Sequence, residues 1–267
     1  VYKRQNERLL YKRDKTVNND YFVLTLFAVG KELGTAAQQG TDIYTDGYPH
    51  DIQLAVGLPP AHYQSLCKKF KAYLMRPEII DFTHNGRTYS IEITDVQCFP
   101  QAFAAAMTRY NTEMGKRATV IDLGGYTADY IQIVDGKPLI EHSDSLENGV
   151  IHLYHRIMQE INCIMDTRLK ESDIDLIIRG NPHYPEQLIK IVDQQVRQYL
   201  DDFIGQLRER QIDLRVGQTV IIGGGGILLR KYIEQNPWIQ HITFIDDIRA
   251  NAHGYQLMYE TLRRKGG

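Results

Sequence analysis

An aspartate, two adjacent glycines and a hydroxyl stand together in Asp122-Leu123-Gly124-Gly125-Tyr126-Thr127-Ala128-Asp129. Phosphate recognition needs backbone N–H groups that point into one cavity, and paired glycines between strands supply them. They accept positive φ and let phosphate oxygens approach the main chain. Gly124 and Gly125 would contribute N–H groups and the Thr127 hydroxyl a further donor, with Tyr126 between them in the same nucleotide-binding turn. Asp122 ends a buried apolar strand and would face the same cavity. A carboxylate there suits a Mg²⁺ ion held through water, or an attacking water that needs orienting. Left unpaired in a core it would be costly. On these residues alone a plain β-hairpin with a Gly-Gly turn remains an equal reading.

A second cluster follows Val220-Ile221-Ile222: Gly223-Gly224-Gly225-Gly226, then Ile227-Leu228-Leu229. This is a buried strand turning sharply toward a helix. The glycines serve either close packing of strand on helix or a bare cradle for a base or sugar, with a helix N-terminus facing negative charge. Four in a row cost more backbone entropy than packing requires, which favours the cradle. No Gly-Lys-Ser/Thr follows, so this is not a Walker loop.

The elements that must position these residues read as α/β layers. A helix capped by Asn19 runs through Gly34, with Phe22, Leu26, Val29 and Leu33 at helical spacing. A strand over 52–56 leads to Pro59-Pro60 and a helix carrying Leu66, Phe70 and Leu74. Asn85-Gly86 turns a hairpin between 82–84 and 87–93. A helix is expected from Gln101 through Ala106. Strands at 119–123, 129–134 and 137–141 then form a meander, with Asp135-Gly136 as its second turn. Helices at 147–166, 172–178 and 185–210, a strand at 219–222, a helix at 227–235, a strand at 242–245 and a helix at 251–264 complete the pattern.

Bulk properties narrow the classes. The chain has 267 residues, 43% of them hydrophobic and 24% charged, an ordinary globular balance. A net charge of -2 gives no bulk attraction to nucleic acid or anionic lipid. Cys67, Cys98 and Cys163 have neither metal-ligand spacing nor a disulfide framework, so a cytoplasmic location is expected. No apolar stretch is long enough to span a bilayer.

Taken in order, Phe99-Pro100-Gln101-Ala102-Phe103-Ala104-Ala105, Val120–Asp129, Ile222–Gly226 and Arg249-Ala250-Asn251-Ala252-His253-Gly254-Tyr255 resemble the actin-like ATPases, most closely the ParM-type plasmid-segregation actins of bacteria. Tyr21–Leu33 and Val56–Tyr63 also look like segments of ParM-like proteins. The resemblance runs over nearly the whole chain from about residue 7 and implies an actin-like (ribonuclease-H-like) two-lobed α/β fold. It places the first lobe at 1–116, the second at 117–247 and a helix returning to the first lobe at 248–267. It also implies roles. Gly124, Gly125 and Thr127 contact the β- and γ-phosphates of ATP or GTP. Asp122 acts on Mg²⁺ through water. Gln101 orients the attacking water, and Gly223, Gly224, Gly225 and Gly226 line the adenosine. Arg249, Asn251 and Gly254 shape the hinge, with His253 a surface or packing residue.

One departure matters. The family opens with a β-hairpin carrying Asp-x-Gly, the first phosphate loop, and no such motif precedes residue 20. Val1-Tyr2-Lys3-Arg4-Gln5 reads as a translated sequencing adapter, so the expectation is a first lobe lacking its opening β-hairpin. ATP hydrolysis is implied for the complete protein; weak or no nucleotide binding is expected of a chain without that loop. The implied function is a filament-forming ATPase that segregates plasmid or other DNA through a DNA-binding adaptor, with no direct sequence-specific contact to nucleic acid and none to membrane. The alternatives within the same superfamily are a small-molecule kinase and a non-polymerising nucleotide switch.

Overall fold

A computed structural model describes residues 14–40 and 48–266. The adapter expectation for Val1–Gln5 lies outside those residues. The chain divides into two compact units, one made of the described part of Val1–Leu58 with His62–Phe99, the other of Pro59–Ala61 with Pro100–Gly267.

The first unit contains α1 (Asp20–Gln38), β1 (His50–Leu58), most of α2 (Pro60–Leu74), β2 (Ile80–His84) and β3 (Arg87–Pro100). The strands form one sheet in the order β1-β3-β2. β2 and β3 pair antiparallel, Ile80 opposite Ile91 and His84 opposite Arg87. Asn85 and Gly86 between them both take positive φ, as a type I′ turn requires. Tyr89, Ile91 and Ile93 alternate inward on β3 and meet Val29 of α1 and Phe70 and Leu74 of α2 in one core. The start of α1 differs from expectation. Asn19 makes no side-chain cap. Instead the Tyr73 hydroxyl accepts from the Phe22 N–H at 2.9 Å and donates to the Asn18 carbonyl at 2.7 Å, a tertiary cap invisible to local pattern.

The second unit holds α3 (Phe103–Met107), α4 (Thr112–Lys116), β4 (Arg117–Leu123), β5 (Ala128–Val134), β6 (Lys137–Leu146), α5 (Val150–Met165), α6 (Glu171–Ile178), α7 (Glu186–Glu209), β7 (Gln218–Ile222), α8 (Gly223–Leu228), α9 (Arg230–Gln235), β8 (Ile242–Phe244) and α10 (Ala250–Gly266). Its sheet runs β6-β5-β4-β7-β8. The β4-β5-β6 meander is antiparallel, while β7 lies parallel to β4 and β8 parallel to β7.

This sheet is covered on both faces, which explains its near-continuous apolar strands. Ile121, Leu123, Tyr130 and Ile221 enter a large core with α5, α6, α7 and α9. Val120, Ile131, Ile133, Val220 and Ile222 enter a second core with α3 and α10. In α7, Leu188, Val192, Val196, Tyr199, Phe203 and Leu207 lie buried along one stripe. No described helix is long and apolar enough to cross a membrane.

Three helix starts in this unit depart from expectation, the one expected at 147 beginning at Val150. The helix expected from Gln101 begins at Phe103, because Ala102 sits at φ 62°, ψ -53° and interrupts it. The helix expected at Ile227 begins at Gly223, so all four glycines are helical and a break at Leu229 separates α8 from α9. Glycine's low helix propensity argues against such a start locally; packing overrides it.

Candidate functional site

β4 and β7 are parallel neighbours, so their C-terminal ends, Asp122-Leu123 and Ile222, reach the same edge of the sheet. Ligands of open α/β sheets bind at that edge, where loops leave the strand ends. Both glycine clusters lie there, brought together across about a hundred residues of sequence.

The Gly124–Thr127 turn is held by the start of α5. The N–H groups of Gly149, Val150 and Ile151 donate to the carbonyls of Tyr126, Gly124 and Gly125 at 3.1, 3.1 and 2.9 Å. The turn closes on itself through Gly124 N–H to the Thr127 carbonyl at 2.9 Å. In a trans peptide the C=O and the following N–H point in opposite directions. With three carbonyls turned toward α5, the N–H groups of Gly125, Tyr126 and Thr127 are therefore aimed away from it. Gly125 and Tyr126 are exposed, Thr127 half-buried.

Gly149 is the residue that sequence reasoning missed. A Cβ on it would overlap the Gly125 carbonyl and the Tyr126 carbonyl carbon. Only glycine lets the start of α5 close on the turn. Its signal, Glu147-Asn148-Gly149 before an amphipathic helix, is weak in sequence because the partner backbone is over twenty positions earlier. The Tyr199 hydroxyl donates to the Asn148 carbonyl and ties this segment to α7.

The second cluster separates by position. A Cβ on Gly223 would lie 2.5 Å from Asp122 Oδ1, and Gly223 has φ 86°. On Gly225 it would meet Val150 and the Leu123 carbonyl at 2.7 and 2.8 Å, and on Gly226 it would meet Ile221 at 2.5 Å. Packing thus accounts for these three. Gly224 is exposed and a Cβ there would meet nothing within 4 Å, so packing does not explain it.

Asp122 stands between the clusters. Asn251 of α10 donates through Nδ2 to Asp122 Oδ2 at 2.9 Å. Burial pushes the Asp122 carboxyl above the usual carboxylate range, and the Asn251 hydrogen bond draws it partly back. Asp129 lies directly opposite Asp122 in the β4–β5 register and is buried. By strand alternation with Val120 and Ile131, both carboxylates lie on the α3 and α10 face of the sheet. Asn251 Oδ1 also accepts from the Ala102 N–H at 2.9 Å, which links the Gln101 turn to Asp122. At Gly254, one turn along α10, a Cβ would overlap the Ala104 carbonyl, so α10 and α3 cross backbone to backbone. Arg249 and His253 stand apart: the Arg249 N–H and His253 Nδ1 bond to Asp247 at 2.9 and 2.7 Å on an exposed surface.

Whether these residues suit a nucleotide with a divalent cation rests on this donor set. The turn offers N–H groups directed away from α5, Gly224 leaves bare main chain, and Asp122 carries anionic capacity at a partly desolvated position. Among the described residues no three His, Cys, Asp or Glu side chains converge, so a cation here would depend on water and phosphate oxygens for most of its shell. The residues fit that arrangement.

Known proteins agree with this architecture. The family described as actin-like proteins, N-terminal domain, matches residues 3–103, and the one described as archaeal actin homologue MreB-like, C-terminal, matches residues 120–235. The chain belongs to the actin-like proteins. Among solved structures it is similar to the archaeal actin homologue Ta0583, at 22% identity and TM-score 0.66 over 86% of this chain and 76% of that one. The psk41 ParM protein in its apo form matches at 15% identity and TM-score 0.65 over 96% and 74% of the two chains. The Alp12 filament structure matches at 17% identity and TM-score 0.62 over 86% and 75%. At these identities the likeness is one of fold. No curated protein matches the chain.

Proposed function

We propose that this actin-like protein binds and hydrolyses a nucleoside triphosphate with Mg²⁺ and assembles into filaments that move plasmid or other DNA through an adaptor protein in the cytoplasm. The observation that carries the reading is the meeting of the Gly124–Thr127 turn, Asp122 and the exposed Gly224 at one end of the parallel strands. Gly125, Tyr126 and Thr127 would bind phosphate oxygens through N–H groups already aligned by α5. Asp122 would hold the cation's water shell, and Gln101 would orient the attacking water. Gly223 and Gly225 keep α8 tight against β4, and Gly226 keeps it tight against β7, which leaves Gly224 able to lie flat against a sugar or base. Bound Mg²⁺ would supply charge neutralisation on the transferring phosphoryl group. Ta0583 in complex with ADP, Bacillus thuringiensis ParM with ATP and the Alp12 filament support the nucleotide and the polymer by similarity of fold.

Sedimentation of the complete protein after incubation with Mg·ATP or Mg·GTP tests the proposal. Pelletable polymer at micromolar protein, lost in Asp122→Ala, is the expected result. Nucleotide binding without polymer would favour the non-polymerising switch. No binding of either nucleotide would overturn the reading.

A further inference from the structure

The segment Gln101-Ala102-Phe103 is strained. Ala102 is fully buried at φ 62°, ψ -53°, and the Phe103 N–H donates across it to the Gln101 carbonyl at 2.7 Å. That is the γ-turn of positive φ, a rare conformation for a residue with a Cβ and one that persists only where its surroundings impose it. Within the core that surrounds it, one side chain bonds the Ala102 N–H directly. The Asn251 carboxamide uses its oxygen to hold the Ala102 N–H and its nitrogen to hold Asp122, each at 2.9 Å. An amide group is rigid and planar, so its two arms cannot move independently. The close crossing of α10 on α3 at Gly254 and Ala104 keeps the base of the fork in place.

We propose that Asn251 is a positioning residue that couples the Asp122 carboxylate to the strained turn carrying Gln101. A change in what Asp122 engages would pass through the carboxamide to the Ala102 N–H and so to the direction of Gln101. The inference deepens the proposed nucleotide site and rests on that reading. The chain passes from one compact unit to the other at Phe99–Pro100, immediately before this turn.

Amide hydrogen exchange at Ala102, measured on the nucleotide-free chain, reads the coupling without activity. Asn251→Ala removes both arms and is expected to speed exchange at least about tenfold. Asp122→Ala leaves the nitrogen arm without an acceptor and is expected to speed exchange at Ala102 several-fold, although Asp122 makes no bond to that amide. Asp122→Asn keeps an acceptor oxygen and should restore protection. Asn251→Asp keeps the Ala102 arm and sets a second carboxylate against Asp122 in place of the amide donor; turnover should fall about tenfold with KM changed less than threefold. Exchange at Ala102 unchanged in Asp122→Ala, or wild-type turnover in Asn251→Asp while Asp122→Asn is inactive, overturns the coupling. Wild-type turnover in Asp122→Asn instead overturns the nucleotide reading on which it rests.

Discussion

At the scale of single residues, two positions carry a cost that folding alone does not require. Asp122 is one. Its carboxyl titrates above the ordinary range because burial disfavours the charge, so the folded state holds the proton more tightly than the unfolded state. Stability contributed by this group is therefore full below the unfolded value of about 4 and declines as pH rises through the raised folded value. Asp122→Asn removes the decline. The expected outcome is a higher Tm than wild type at pH 7, a difference that shrinks toward pH 4, with turnover lost. Thermal melts across that range check it, at roughly 2–4 °C per kcal/mol for a chain of this size. Gly224 is the other position. It lies in a helix, exposed, with open space where a Cβ would go. Gly224→Ala is expected to leave stability unchanged or raise it by up to about 1 kcal/mol, the helix-propensity difference, while weakening nucleotide binding. Urea midpoints and a binding titration check the two halves.

At the scale of elements, the sequence disclosed what depends on period and turn chemistry. The meander with its Asp135-Gly136 turn, the Asn85-Gly86 hairpin, and the helices over α2, α6 and α7 follow from apolar spacing and positive-φ residues, both local properties. The Asp122–Thr127 turn and the Gly223–Gly226 cluster were legible as candidates for the same reason. What stayed hidden depends on contact between distant segments. Gly149 is required by the carbonyls of Gly125 and Tyr126, Ala102 is held by Asn251, and α8 starts on glycines because Leu123, Ile221 and Val150 leave no room for a Cβ. Apart from Ile221, none of these partners is near in sequence. The docking of α5 on the turn gives a further prediction. Gly149→Ala forces a Cβ into backbone that has no side chain to move aside. It should destabilise by about 3 kcal/mol, the upper end of overpacking costs, and abolish nucleotide binding, because the carbonyls of the turn lose their donors. Chemical denaturation with a binding assay on the surviving folded fraction separates the two effects.

At the scale of the molecule, the two compact units have separate cores, one around β3 with α1 and α2, the other pair around the two faces of the five-stranded sheet. Gln101, Asp122, the 124–127 turn, Gly223–Gly226 and Asn251 all belong to the larger unit. Units with distinct cores need not unfold together, and a ligand stabilises only the unit whose folded state binds it. Calorimetry is therefore expected to depart from a single two-state transition, with unequal enthalpies because enthalpy scales with the number of residues melting. Saturating Mg·ATP should raise the transition of larger enthalpy. At a hundredfold excess over Kd the linkage is worth about 2.7 kcal/mol, enough to separate two transitions that overlap without ligand. The same scan on Asp122→Ala should show no ligand-dependent shift. A shift confined to the smaller transition would place the nucleotide on the first unit and remove the 124–127 turn from its binding.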